Sequence, residues 1–495
     1  MSTYKNFIAG EWVASSSGET FENRNPANHE LLGHFPSATV EDTQRAIAAA
    51  KEALKGWANT PPPSRAAILD KASKIIDRRG DEFAKALTQE EGKTFAEARG
   101  EVNRARDIFS YAAGEGWRMG GQTLPSNISG ELLYTRREPL GVVALITPWN
   151  FPVAIPAWKM APALIYGNTV VFKPASLSPH IGLLLVEALV EAGIPAGVLN
   201  FVTGSGRSVG NTLVGSADVD GVSFTGSYNV GMSIYAQAMQ NLTRVQLEMG
   251  GKNPTVVLKD ANIAQAVALA VAGGFGVTGQ ACTATSRVVV EDGVADAFAA
   301  ALTDAARNLR VGNGLETGVQ MGPAVDAGQL ETDLEYIAIA QKEGAKLLAG
   351  GSRASDPSTL RQAQDTAGSG QRGGYFVQPT VFDGVDVSMR IAQEEVFGPV
   401  VGIIRARDFD DALEKANAIE FGLSATVVTN DLQRAFQFAN RIEAGVVKIN
   451  ESSSGLALQA PFGGFKHSSA NTFKEQGPAA IEFYTRTKTV YVGHG

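Results

Sequence analysis

From Gly141 onward the chain repeats one texture: short runs of β-branched and other apolar residues, each followed by a longer helical stretch. VVALIT (142–147), TVVFK (169–173) and VLNFVT (198–203) are separated by segments such as His180 to Ala192. A strand that is apolar along its whole length is covered on both faces, and parallel neighbours need a crossover between them. The texture therefore predicts βαβ units and a parallel sheet. A second series follows Gly250, with PTVVLKD, a small-residue helix from Asn262, SRVVVED and an alanine-rich helix. The expected fold class is α/β, with two doubly wound domains in succession.

Outside these series, the first hundred residues read as helices. Ile47, Ala50, Leu54 and Trp57 make an apolar stripe opposite Lys51 and Lys55, and Thr39 with Asp42 supplies a capping box. Pro61 to Pro63 should end that helix, Ser64 should cap the next one, and Gly92 should stop it. Glu131 to Arg137 and Glu482 to Val492 alternate like β-strands with mixed faces. They are expected to pair with each other or with a neighbouring subunit's sheet. Ser352 to Gly374 is polar and glycine-rich, and reads as a surface insertion.

Charge and cysteine content narrow the setting. Lysine and arginine number 43 and aspartate and glutamate 51, a net charge of −8. A surface of that sign repels phosphate backbones, so no nucleic-acid partner is expected. Cys282 is the single cysteine, which excludes an intrachain disulfide and fits a reducing cytoplasm. The N-terminus lacks the apolar stretch of a signal peptide. The longest apolar run, Ala266 to Val277, falls short of the roughly 20 residues needed to span a bilayer, so no membrane partner is expected. Five histidines, none at i, i+4 from another, give no metal-site signal.

Several positions could carry chemistry. A lone cysteine is commonly just a small buried hydrophobe. Cys282, however, stands in GQACTATSR among small and polar neighbours that leave room for a substrate. Glu248 in VQLEMGGKNP is either an edge-strand carboxylate in water or a partly buried general base with a raised pKa. The adjacent Gly250 and Gly251 would let that turn approach another backbone closely. Asn150 in ITPWNFP follows a strand end, where an open α/β sheet presents its ligand crevice. It is either a turn residue or an amide aimed at a developing oxyanion. Lys173 ends a strand, as a solvated lysine or as a cation for a ribose or phosphate. The glycine runs Gly204–Gly206–Gly210 and Gly226–Gly231 lack the usual dinucleotide spacing, but Gly226 and Ser227 open a helix whose amides could take a pyrophosphate. Glu395 in EEVFGPV is a loop carboxylate close to Phe397.

ITPWNFP, VFKPAS, FTGS, LEMGGKNP, GQACTATSR, EEVFGPV and APFGGFKHS occur in the order they hold in the aldehyde dehydrogenase superfamily, which the chain resembles over essentially its whole length. The resemblance implies an NAD(P)-dependent, non-acylating aldehyde dehydrogenase. Cys282 would be the nucleophile, Asn150 the oxyanion donor together with the Cys282 N–H, and Glu248 the base that hydrolyses the thioester. Lys173, placed with that catalytic set, and Glu395 would contact ribose hydroxyls. Ile146, Thr147, Pro148, Trp149, Gly206, Gly210, Phe224, Gly226, Ser227, Val230 and Phe397 would complete the cofactor site. Many NAD-preferring members carry glutamate three positions after the lysine. Here Ser176 stands there, so acceptance of NADP, and in the stronger form preference for it, is expected beside NAD.

The closer resemblance is to the branch acting on α-ketoglutaric semialdehyde, carried by NFPVAIPAWKMAPAL and the C-terminal APFGGFKHSSANTFKEQGPAAIEFYTRTKTVYV. Succinic semialdehyde or a broad aldehyde range is the alternative. Trp158 stands where some succinic semialdehyde dehydrogenases have arginine, so the cation for a substrate carboxylate is not evident. The implied domains are 1–125 with 143–250 for the cofactor and 251–452 for catalysis. Strands at 126–142 and 478–495 would serve oligomerisation, and 453–477 would line the active site. A homodimer or homotetramer is expected; a non-catalytic binding protein would have lost Cys282 or Glu248.

Overall fold

The structure, a computed structural model, describes residues 2–354 and 373–493. Two seven-stranded sheets dominate it. In the first, the strands Arg244–Glu248, Gly221–Thr225, Val142–Ile146, Thr169–Lys173 and Leu199–Phe201 lie side by side and parallel. Alternate residues feed two separate cores. Val143, Leu145 and Phe172 pack on one face, while Val142, Ala144, Ile146 and Val171 pack on the other. Both faces are therefore covered, which is why these strands are apolar throughout.

The chain runs from Val142–Ile146 outward through Thr169–Lys173 to Leu199–Phe201, then returns to place Gly221–Thr225 on the other side of the starting strand. Order reverses between Val142–Ile146 and Gly221–Thr225. A crevice opens at the carboxyl ends of two such strands because their following loops diverge to opposite faces. The second sheet orders Lys346–Ala349, Thr380–Asp383, Val400–Ala406, Thr285–Glu291, Asn253–Val257, Ser424–Val428 and Val446–Ile449, with only the first strand antiparallel.

Four sequence expectations need correction. The first hundred residues are not all helical: Asn6–Ile8, Glu11–Val13, Thr20–Arg24 and Leu31–Pro36 are strands. Asn6–Ile8 joins the first sheet through Phe7 opposite Phe201, extending an otherwise open edge. A three-residue strand takes its conformation from that distant partner, not from its own pattern. Ser64 caps nothing, because the helix Pro62–Arg78 already starts at Pro62, where a missing N–H costs no helical bond. Gly92 ends the following helix, Gly80–Glu91, with left-handed backbone at φ 100°. The second alternating stretch, expected to be extended from Glu482, is helical up to Tyr484 as the end of Gly477–Tyr484 and becomes a strand only at Thr485.

The capping box of Thr39 and Asp42 is present at the start of Val40–Asn59, and Ile47, Ala50 and Trp57 of its stripe are buried. Thr485–Gly493 pairs antiparallel with Glu131–Pro139 along nine residues, so the two alternating stretches do find each other. Residues 355–372 of the expected surface insertion lie outside the described residues. Among the described residues no helix is long and apolar enough to cross a membrane.

Candidate active site

The loops that diverge at the reversal of strand order build a groove of about 710 Å³. From the first loop come Ile146, Thr147, Pro148 and Trp149; from the second come Phe224, Gly226, Ser227 and Val230. Lys173, Gly206 and Gly210 complete its wall, so nearly all the sequence-predicted cofactor residues meet in one place. A Cβ at Gly206 or Gly210 would meet no atom within 4 Å, which leaves the space beside that wide helical turn open. Ser227 caps the helix Tyr228–Ala238 without a side-chain bond, so its first amides are free for an anion. The Gly226 amide is not among them, contrary to expectation, because it donates to the Glu248 carbonyl at 3.1 Å. Ser176 lies outside the groove wall, exposed, with its hydroxyl on the Gly204 carbonyl at 3.2 Å. Arg207 does line the groove, and nothing in the sequence pattern singled it out.

Lys173 is buried with its ammonium on the Pro174 carbonyl at 3.0 Å, and burial lowers its pKa to about 8. Pro148, Trp149, Gly226 and Ser227 also belong to a smaller chamber of about 240 Å³, which makes groove and chamber continuous. Asn150, Cys282, Glu395 and Phe397 line that chamber. Phe397 meets Trp149 edge to face at 5.4 Å between ring centroids.

Cys282 stands between the helix Ile263–Phe275 and the strand Thr285–Glu291. Just before it, Val277 (φ 51°), Thr278 (φ 57°) and Gly279 (φ 68°) adopt left-handed backbone. Such angles strain β-branched residues, so the turn must be held from outside. Glu97 accepts from the Val277 N–H at 2.7 Å, and the Thr278 hydroxyl donates to the Gly322 carbonyl at 3.1 Å. The Asn150 amide donates to the Gln280 carbonyl at 3.0 Å, which leaves its second N–H free. Asn253 donates to the Cys282 carbonyl at 2.8 Å. A Cβ on Gly251 would sit 2.8 Å from that same carbonyl, and one on Gly250 would sit 2.0 Å from the Glu395 carboxylate. The two glycines leave space that the Cys282 backbone and the Glu395 carboxylate occupy.

Asn150 is itself pinned. Its carbonyl accepts from the Lys93 ammonium at 2.7 Å, and Lys93 pairs with Glu101 at 2.6 Å in full burial. The other Glu101 oxygen accepts from the amides of Val153 and Ala154, both at 3.0 Å, where the helix Ala154–Ile165 begins. Neither Lys93 nor Glu101 was legible as part of a site. The T-x-x-E spacing of Thr94 and Glu97, a capping box that the structure contains, was the available signal that this segment is fixed.

Glu248 is buried and does not line the chamber; Met249 and Gly250 beside it do. Its two carboxylate oxygens have no side-chain partner. Burial, then the nearby Glu475, push its pKa well up, against Lys159 and Lys474. Glu475 in turn pairs with the buried Lys159. Burial likewise raises Glu395 to about 7. The Cys282 thiol is pushed up to about 12 by burial, with Glu395, Glu248 and Glu475 adding to it.

Residues 12–490 match the aldehyde dehydrogenase family. The chain belongs to that family. It is similar to the alpha-ketoglutarate semialdehyde dehydrogenase of Haloferax volcanii, 50% identical over 488 residues and covering 98% of each chain. It is also 44% identical over 489 residues to the 2,5-dioxopentanoate dehydrogenase of Saccharolobus solfataricus, again with 98% of each covered. Among solved structures, the betaine aldehyde dehydrogenase of Staphylococcus aureus in complex with NAD+ superposes with a TM-score of 0.94 at 34% identity, over 99% of this chain and 95% of that one.

For this aldehyde dehydrogenase, the raised thiol pKa sets a pH dependence. Below its pKa the sulfur is protonated, and the thiolate fraction rises tenfold per pH unit. Alkylation of Cys282 by iodoacetamide, followed by mass spectrometry on the free enzyme, should therefore climb with unit slope through pH 8–10. A plateau near the ordinary thiol value of about 8.5 would contradict the burial and charge argument.

Proposed function

We propose that this enzyme oxidises α-ketoglutaric semialdehyde to the dicarboxylate with NAD(P), through covalent chemistry at Cys282. The observation that carries the reading is the single chamber in which Cys282, Asn150 and Glu395 meet, continuous with a groove of dinucleotide size. The names of the Haloferax and Saccharolobus relatives support the substrate.

The groove fits a dinucleotide on chemical grounds: free helix amides at Ser227, open space at Gly206 and Gly210, and a cation at Lys173. Lys173 and Glu395 would hold ribose hydroxyls. When bound, the dinucleotide supplies the hydride acceptor. The chain's residues do the rest. The Cys282 thiol gives up its proton and attacks the aldehyde carbon, forming a thiohemiacetal. The free N–H of Asn150 and the Cys282 amide stabilise its oxyanion, an arrangement worth roughly 3–4 kcal/mol in comparable sites. Loss of hydride from that carbon leaves a thioester on sulfur. Glu248, made more basic by burial and Glu475, takes a proton from water that attacks the thioester, and the acid and thiol are released. Lys93 and Glu101 are positioning residues in this scheme, since they act through Asn150.

The panel that tests this offers α-ketoglutaric semialdehyde, succinic semialdehyde, glutaraldehyde and benzaldehyde with both cofactors. The five-carbon semialdehyde should give the highest kcat/KM, and Cys282→Ser should abolish turnover while retaining cofactor binding. Stoichiometric acyl-CoA formation would overturn the hydrolytic step.

Acceptance of NADP is supported by the neutral Ser176, three positions after Lys173, where a carboxylate would repel a 2′-phosphate, and by Arg207 on the groove wall. Ser176→Glu should lower kcat/KM for NADP about 10–100-fold relative to NAD by charge repulsion. NADP already a hundredfold worse than NAD in the parent enzyme would end this reading.

The domain boundaries given by the resemblance, cytoplasmic residence and a homodimer or dimer of dimers belong to the same proposal. Thr485–Gly493 lies at one edge of its three-stranded sheet with Tyr491 and Val492 exposed, and Val446–Ile449 forms an open edge of the second large sheet. Exposed strand edges of this kind favour addition of a partner's strand. Truncation after Tyr484 should yield monomers by sedimentation; an unchanged oligomer would refute the assignment.

A further inference from the structure

Resting on the semialdehyde reading above, a cluster of unsatisfied donors marks where the far end of the substrate goes. Arg104, on the helix Phe95–Glu115, is half-buried with its guanidinium 5.8 Å from the centroid of the Trp158 ring. Two of its N–H groups are committed to neutral acceptors, the Leu456 carbonyl and, at 2.8 Å, the Gln476 side-chain carbonyl. A guanidinium has five donors, so three remain. Among the described residues no carboxylate lies within 4 Å of it. The acidic groups nearest on its own helix are engaged elsewhere: Glu101 with Lys93 at 2.6 Å and Asp107 with Arg106 at 2.8 Å.

The neighbours of Arg104 are short of acceptors too. Trp158 Nε1 and Gln476 Nε2 are buried N–H groups with no partner, in side chains that are 7% and 4% exposed. Buried donors without acceptors are rare in native proteins. A cation and two orphaned N–H groups side by side are the complement of a carboxylate, which accepts through about four lone-pair sites.

The cluster also lies in the right place. Trp158 packs on Phe462 at 5.9 Å between ring centroids. The next residue, Gly463, leaves room for the Glu248 carboxylate, 2.5 Å from where a Cβ would be. Arg104 is thus joined to the Glu248 side of the site through Trp158, Phe462 and Gly463; Trp158 and Gln476 line a small recess of their own, outside both the dinucleotide groove and the Cys282 chamber. We propose that Arg104, with the indole N–H of Trp158 and the amide of Gln476, receives the terminal carboxylate of a dicarboxylic semialdehyde. The missing arginine at position 158 is replaced by one arriving from a different helix, and the tryptophan in its place presents a neutral donor.

The test compares kcat/KM for α-ketoglutaric semialdehyde with that for pentanal, an uncharged aldehyde of the same length, together with the inhibition constant of glutarate. Arg104→Met should lower the acid-to-neutral ratio about 10–100-fold, mainly through KM, and weaken glutarate by a similar factor. Arg104→Lys should restore part of the loss, since it keeps the charge without the fork. Trp158→Phe, which retains the ring, should lower the ratio severalfold and serves as the second arm if Arg104→Met does not fold. A folded, cofactor-binding Arg104→Met enzyme with an unchanged ratio, or with unchanged glutarate affinity, overturns the clamp alone. A parent enzyme that does not prefer the acid over pentanal overturns the substrate reading, and the clamp with it.

Discussion

The buried pair of Lys93 and Glu101 fixes more of this site than any other contact. Its two charges are fully removed from water, 2.6 Å apart, and each also serves a second customer. Lys93 holds the Asn150 carbonyl; Glu101 holds the first amides of Ala154–Ile165. The amide of Asn150 then reaches the Gln280 carbonyl, two residues from the nucleophile. Removing one partner of such a pair leaves an uncompensated buried charge, typically a loss of 3–5 kcal/mol. The start of the helix Phe95–Glu115 is thus tied to a loop almost two hundred positions later by the side chains of Lys93, Glu101 and Asn150.

Electrostatics around the sulfur runs against its ionisation. Glu395, Glu248 and Glu475 all raise the thiol, and burial does more than any of them. The same burial raises Glu395 and Glu248. Burial of this kind disfavours the charged form of the nucleophile and of the base alike in the free enzyme. Lys159 beside Glu475, and Lys252 near Glu395, temper that tendency without cancelling it.

Much of the architecture was readable because the parallel strands are apolar on both faces, a pattern that depends on nothing distant. Residues announced by a strand end, such as Asn150, Ser227 and Lys173, were readable for the same reason: the crevice of an α/β sheet lies at strand ends. What escaped depended on partners remote in sequence. Asn6–Ile8 is a strand because Phe201 is beside it. Glu482–Tyr484 alternates like a strand, yet Phe483 and Tyr484 bury themselves at the end of a helix. Arg104 looks like any solvated helical arginine until Gln476, 372 positions away, is brought to it. Ser176 stood out only by comparison with a family pattern, and its own surroundings place it outside the groove wall.

The left-handed turn at Val277, Thr278 and Gly279 makes the placement of the nucleophile depend on distant parts of the chain. Such backbone in β-branched residues costs of order 1–3 kcal/mol each, and it persists here because Glu97 and the Gly322 carbonyl grip it from two separate stretches of the chain. The position of the sulfur is thus a property of the assembled tertiary structure and not of the segment that carries it.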